Sequence, residues 1–208
     1  MNFRDGLAAA EPALGPRATC AVRTDDWATY VDPKAYVAGL MAHLRERGVA
    51  FKACHVATLD GDAVTGTGGQ RYPFDYLVIA AGAWSHRLSE QLGDWCPLET
   101  ERGYNTTLPN PGVSLNRMVT FAEDHFVATP MSVGLRIGGA VEFAGLEAPP
   151  NFARSKALLR LAVQYLPDLN VDGGNEWMGH RPSTPDSLPV IGRASRHSNI
   201  LYAFGHGH

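Results

Sequence analysis

Apolar residues recur at helical spacing after Asp32, where Tyr36, Val37, Leu40, Met41 and Leu44 fall on one side of a helix until Gly48. Asp32-Pro33 makes a good helix start, and Arg45 and Arg47 suit a last turn. A second such pattern, Leu158, Leu159, Leu161, Ala162 and Tyr165, predicts a helix over 151–166 stopped by Pro167. Residues 8–14 read as a short helix broken by Pro12, and 85–95 as a helix ending before Pro97. Elsewhere the pattern turns to strands. Residues 49–51, 55–59 and 63–67 form short β-like pieces, with Asp60-Gly61-Asp62 as the turn between the last two. Residues 118–121, 126–130 and 135–143 alternate as a half-exposed antiparallel sheet does.

The run Phe74-Asp75-Tyr76-Leu77-Val78-Ile79-Ala80-Ala81-Gly82 is apolar and then collapses into small residues. It predicts a parallel strand buried on both faces. Small residues at its carboxyl end let a backbone approach a ligand there, although an ordinary strand-to-helix turn has the same composition. Residues 199–204 read as a last buried strand, leading into Gly205-His206-Gly207-His208.

The stretch from Trp177 to Gly192 differs from everything around it. Arg181 directly precedes Pro182, whose ring keeps the residue before it extended, so the guanidinium projects from the end of a strand. A planar five-donor fork so held suits a carboxylate, which it grips through two parallel charge-assisted hydrogen bonds. A surface salt bridge or a turn is the ordinary alternative. Pro182, Pro185 and Pro189 stiffen a loop ending in Val190-Ile191-Gly192, which reads as a short buried strand.

Composition narrows the function. At 208 residues, 45% hydrophobic and 19% charged, the chain is an ordinary soluble globular protein with ample length for a core. A net charge of -3 argues against nucleic acid as partner, since phosphate binders carry a basic surplus. Cys20, Cys54 and Cys96 are far apart and form no C-x-x-C pair, which suggests neither disulfides nor zinc and fits a reducing cytoplasm. Residues 1–10 hold no apolar core for a signal peptide, and no run approaches the length of a membrane span. His206 and His208 lack a third ligand at matching spacing, so no metal is expected. A G-x-S-x-G elbow is absent, which argues against a serine hydrolase.

Residues 179–192, Gly-His-Arg-Pro-Ser-Thr-Pro-Asp-Ser-Leu-Pro-Val-Ile-Gly, resemble the G-x-R-P-x-T-P-D-x-x-P-x-I-G signature of the FAD-dependent amino-acid oxidoreductases, the family of D-amino-acid oxidase, glycine oxidase and D-amino-acid dehydrogenase. Ala80-Ala81-Gly82-Ala83-Trp84-Ser85 is similar to the family's flavin-contacting turn, and Glu101-Arg102-Gly103-Tyr104 to its R-G-Y strand, which enters the substrate domain. The E-R-G-Y and F-G-H-G-H pieces look closest to the dehydrogenase branch.

The resemblance implies an α/β chain, α+β overall, in which part of a Rossmann-like FAD-binding domain (31–96 and 181–208) is interleaved with an antiparallel substrate domain (1–30 and 97–180). It implies FAD as cofactor and oxidation of the C–N bond of an amino acid, of the D series or glycine, sarcosine or another secondary amine. Arg181 matches the family's carboxylate-binding Arg, with Tyr104 and His180 as candidates to line the substrate pocket. Val56, Ala81, Gly82, Trp84, Gly205, His206 and Gly207 match positions beside the FAD. Oxygen and a quinone at the inner membrane both remain open as acceptors, as does an oligomer.

The dinucleotide fingerprint G-x-G-x-x-G is missing, and Gly66-x-Gly68-Gly69 is not followed by a helix pattern. The expectation is therefore a truncated form without tightly bound FAD. A non-catalytic remnant of the same fold is the alternative.

Overall fold

The computed structural model describes residues 3–207, without the side chains of 3–5. Met1, Asn2 and His208 lie outside the described residues, and with His208 the second imidazole of the G-H-G-H segment. The chain divides into two compact units. One comprises Met1–Val49, Gly103–Val141 and Pro150–Met178, the other Ala50–Arg102, Glu142–Pro149 and Gly179–His208.

Helix α1 (Phe3–Ala10) stops before Glu11-Pro12, a few residues earlier than the pattern predicts. Helix α2 (Pro33–Glu46) starts as expected. Its N-cap carboxylate Asp32 Oδ1 accepts from the Ala35 amide at 2.8 Å, with proline in the first turn. That bond, ahead of a second from the Ser132 hydroxyl, holds the Asp32 carboxyl below its usual range. The helix nevertheless buries none of its residues.

Strands β1 (Val56–Leu59), β2 (Ala63–Gly66) and β3 (Arg71–Pro73) form an antiparallel meander. Residues 49–51 are not a strand, and β3 was not expected. Asp60 closes the β1–β2 turn by accepting from the backbone of Asp62 and Ala63 at 3.1 and 2.7 Å. Together with Arg71, these bonds draw its carboxyl down to about 2, the Asp62 backbone bond contributing most. Strand β4 (Leu77–Ile79) leads through a single 3₁₀ turn (Gly82–Trp84) into α3 (Ser85–Gln91).

Strands β5 (Glu99–Leu108), β6 (Val119–Phe121), β7 (Phe126–Met131) and β8 (Gly134–Phe143) precede helix α4 (Ala153–Tyr165) and strand β9 (Asn175–Ser183). They make a five-stranded sheet in the order β6-β7-β8-β5-β9. Strand β9 is therefore at the sheet edge, the place where a strand tolerates a proline such as Pro182. Strands β10 (Val190–Arg193) and β11 (Ile200–Phe204) join β4 in a third sheet, β10-β11-β4.

The first unit closes over an aromatic core. Phe121 and Phe126 stack at 4.3 Å, and the ring of Tyr165 from α4 lies 4.6 Å from Phe121, with Leu158 and Ala162 of the same helix buried beside them. The second unit has a smaller core of Leu59, Ile79, Leu92, Ala194, Ile200, Tyr202 and Phe204. Two expectations fail there. Strand β4 is not buried on both faces, since Val78 is 57% exposed at the sheet edge. Strand β10 is not buried either, with Ile191 at 71%. Val78 and Ile191 both lie on the sheet face opposite Ile79, Ile200, Tyr202 and Phe204, and a face is covered by a layer packed on it rather than by neighbouring strands.

Candidate active site

The second unit brings two small-residue turns to one edge of one sheet. Strands β4 and β11 are parallel, with Leu77, Val78 and Ile79 opposite Ile200, Leu201 and Tyr202. The segments that follow them, 80–85 and 205–207, therefore both leave from carboxyl ends, where open α/β sheets bind ligands.

Gly82 sits in the left-handed region at φ 56°, with no atom within 4 Å of where a side chain would begin. Gly205 is left-handed too, at φ 83°. At Gly207 a side chain would run into the Ser183 hydroxyl and come 2.9 Å from the Pro182 carbonyl oxygen, so only glycine lets this turn lie against the end of β9. Open space over Gly82 and a left-handed glycine in each turn leave backbone accessible, as a flat, extended cofactor such as FAD needs. Val56, with an exposed side chain, begins β1. That strand is tied to α3, the helix after the first turn, by the Leu59 amide donating to Gln91 Oε1 at 2.8 Å.

Strand β9 carries the polar candidates. Arg181 Nη1 donates to Glu101 Oε2 at 3.1 Å, while His180 Nδ1 lies 3.0 Å from Thr100 Oγ1. Successive strand residues point to opposite faces, so Arg181 with Glu101 and His180 with Thr100 are on different sides of the sheet. The imidazole of His180 meets the indole of Trp84 edge-on at 5.1 Å, which joins the 80–85 turn to β9. Two expected site residues, Trp84 and His180, are thus in contact, and Arg181 faces away from both.

Tyr104 belongs to the first unit, 2% exposed, with its hydroxyl accepting from the Asn151 amide at 3.0 Å and its ring edge-on to Phe152. Arg102 is fully buried, donating to the Pro149 carbonyl at 2.8 Å and lying 3.7 Å from Glu142. Glu101 and Thr100 are partners of candidate site residues to which pattern reading gave no role. No signal in the sequence pairs β5 with a strand some eighty residues further on.

A cleft of about 470 Å³ lies beside the proline-rich loop, with Cys96, Thr184, Asp186 and Val190 in its walls. None of the expected site residues lines it. Burial, with a smaller contribution from Asp186, raises the Cys96 thiol. Nearby, Asp94 Oδ2 accepts from the Ser195 amide at 2.9 Å and from the Tyr202 hydroxyl at 2.7 Å. Hydrogen bonds from Ser195 and then Tyr202 hold the Asp94 carboxyl below its usual range, and burial followed by Asp94 pushes the Tyr202 hydroxyl well above its own. This network pins 193–196 against the end of α3. Among the described residues no helix is long and apolar enough to cross a membrane.

Known proteins resemble this chain over most of its length. The chain is 39% identical to a D-amino-acid oxidase of Bradyrhizobium diazoefficiens, over 98% of its own length and 50% of the relative's. It is 30% identical to a D-amino acid dehydrogenase of Dechloromonas aromatica, over 85% of its length and 45% of the relative's. The chain thus spans about half the length of the curated relatives it matches. Its fold superimposes on L-proline dehydrogenase from P. horikoshii with a TM-score of 0.75 at 20% identity, covering 98% of this chain and 57% of that one. Glycine oxidase from Geobacillus kaustophilus gives 0.61 at 23% identity, over 75% of this chain and 42% of that one. A family model described as FAD dependent oxidoreductase matches residues 4–208, and with that match this chain belongs to the family.

Proposed function

We propose that this chain carries the substrate-carboxylate site and part of the FAD site of an amino-acid oxidoreductase, with Arg181 holding the carboxylate. One observation carries the reading. Of the five guanidinium donors of Arg181, only those on Nη1 have a partner among the described residues, and the side chain is 33% exposed. The Nε and Nη2 hydrogens form a parallel pair that fits a bidentate carboxylate.

Ala81, Gly82, Trp84, Gly205, His206 and Gly207 are the residues that would lie beside FAD, with Val56 toward its adenine end. When bound, FAD supplies the acceptor for the hydride of the substrate's α-carbon. What this chain does is hold the carboxylate so that the α-carbon is aimed, the source of most of the rate that positioning can provide. His180, edge-on to Trp84, braces the turn. Tyr104, buried with its hydroxyl engaged, supports the strand that carries Glu101. In this reading 31–96 and 181–208 serve the flavin, while 1–30 and 97–180 serve the substrate. The relatives' names include both oxidase and dehydrogenase, so oxygen uptake against quinone reduction is the measurement that assigns the acceptor. Sedimentation across a concentration range assigns the oligomer.

Arg181→Lys keeps the charge and loses the fork. With FAD supplied, kcat/KM for an amino acid is expected to fall by about 2–4 kcal/mol in transition-state stabilisation, with flavin content unchanged. Amines lacking a carboxylate should be indifferent to the change. A loss under about twofold for amino acids, well below 1 kcal/mol, would remove Arg181 from this role.

A further inference from the structure

Trp84 is the one large side chain of the 80–85 turn, and little within the turn holds it. The three-residue 3₁₀ turn starts without a side-chain cap, the Trp84 amide donates to the Ala81 carbonyl at 3.2 Å, and the indole is 45% exposed. Among the described residues nothing accepts from the indole N–H. With no hydrogen bond to fix it, the ring depends on packing, and the aromatic ring packed on it is His180, 5.1 Å away with the two planes at 69°. Edge-on contact is a preferred arrangement, because the positive edge of one ring meets the negative face of the other.

An imidazole can itself rotate, and Thr100 removes that freedom. Thr100 Oγ1 lies 3.0 Å from His180 Nδ1, and Thr100 is buried on β5 with its amide donating to Glu99 Oε1 at 2.7 Å. A β-branched residue has few rotamers, so a buried threonine offers its hydroxyl at a fixed point. The hydroxyl donates to the ring nitrogen or accepts from it as the tautomer requires, and burial makes the loss of that bond costly. Glu101 and Arg181, one residue further along each strand, are on the other face. The contacts from Thr100 to His180 to Trp84 are therefore separate from the guanidinium assigned to the carboxylate.

We propose that Thr100 is a positioning residue that acts through His180 to set the Trp84 ring, and so presents the 80–85 turn to the flat ring system lying against it. The purpose rests on the proposed place of that turn beside FAD. The positioning itself does not.

The test uses the 208-residue chain labelled with 5-fluorotryptophan. Its four tryptophans give four ¹⁹F lines, and that of Trp84 is assigned by its loss in Trp84→Phe. Thr100→Val keeps the shape and removes the hydroxyl, and should move the Trp84 line by more than its width. The lines of Trp27, Trp95 and Trp177, all exposed, should stay in place and report an intact fold. Thr100→Ser should restore the wild-type position. His180→Phe keeps an aromatic ring that cannot bond to Thr100, and should move the Trp84 line as well. In that background Thr100→Val should add nothing, the mark of two residues acting in series. A Trp84 line unmoved by Thr100→Val, or moved by the same amount with and without His180, would overturn the proposal. Should Thr100→Val not fold, His180→Phe decides: an unmoved Trp84 line there has the same consequence. Added FAD should move the Trp84 line in the wild type, and Thr100→Val should weaken that binding by on the order of threefold. If FAD leaves the line in place, the turn loses its cofactor role and Thr100 its purpose, while the variant shifts still decide the positioning.

Discussion

The two units of this chain spend their apolar residues in different ways. The first packs Phe121, Phe126 and Tyr165 ring against ring, with the Tyr165 hydroxyl donating to Asp124 at 2.7 Å and the Arg17 guanidinium 4.8 Å above its ring. Strands β6, β7 and β8 and helix α4 all contribute to that core. The second packs mainly aliphatic side chains around Tyr202 and Phe204, while Tyr76, Val78, Trp84 and Ile191 stay exposed. Every candidate site residue except Tyr104 belongs to this second unit. The first unit exposes apolar residues too, Trp27, Tyr30, Tyr36, Val37 and Leu40 among them, but its sheet core is closed, whereas in the second unit the exposed ones lie on or beside the strands and turn of the candidate site.

The sharpest way to break that contrast is to empty each core in turn. Phe126→Ala should cost about 3–5 kcal/mol in a urea titration, since a fully buried ring stacked on Phe121 and tilted against Tyr165 leaves a cavity the sheet cannot close. Ile200→Ala, also fully buried, should cost less, about 2–4 kcal/mol, because the thinner second core can collapse around it. Equal costs would erase the distinction between the two.

A smaller effect is expected at Asp94, the acidic anchor of the second unit. Asp94→Asn should cost about 1 kcal/mol at neutral pH, from weakened hydrogen bonds to Ser195 and Tyr202. The folded state holds this carboxyl below its ordinary value, so its contribution is present above about pH 4 and lost as pH falls through the folded value. The gap between wild type and variant should therefore close in acid, as thermal melts at pH 7 and near pH 2 can check. A gap that persists at low pH would show that the charge of Asp94 is not what matters.

The smallest effect belongs to α2. Leu40→Ala should change stability by less than about 0.5 kcal/mol, because Leu40 is about half exposed and alanine is the better helix former. A large loss would mean that the apolar side of α2 is covered in solution.

Helices α2 and α4 explain why some of this was legible in the sequence and some was not. Both show apolar residues at the 3.6-residue period, both carry a stop signal, and both form where the pattern predicts. Yet α4 buries Leu158, Ala162 and Tyr165, and α2 buries nothing. The β1–β2 turn at Asp60 and the alternating strands of β6 to β8 were equally readable, since turn chemistry and period 2 act over a few residues. The exposure of Val78 and Ile191 was not, because an apolar run reads the same whether or not another layer packs on its face.

The candidate site divides along the same line. By itself the sequence determined that Arg181 is held extended before Pro182, and that small residues stand at 80–83 and glycines at 205 and 207 where a backbone can approach a ligand, because φ/ψ preferences and side-chain size are properties of a residue and its immediate neighbours. Only the tertiary structure decided that Glu101 lies on Arg181, that His180 turns away to Trp84, and that two turns more than a hundred residues apart leave the same edge of one sheet. Those facts depend on which strands pair and in what register, and a register is chosen by the packing of the whole unit rather than by any short stretch within it.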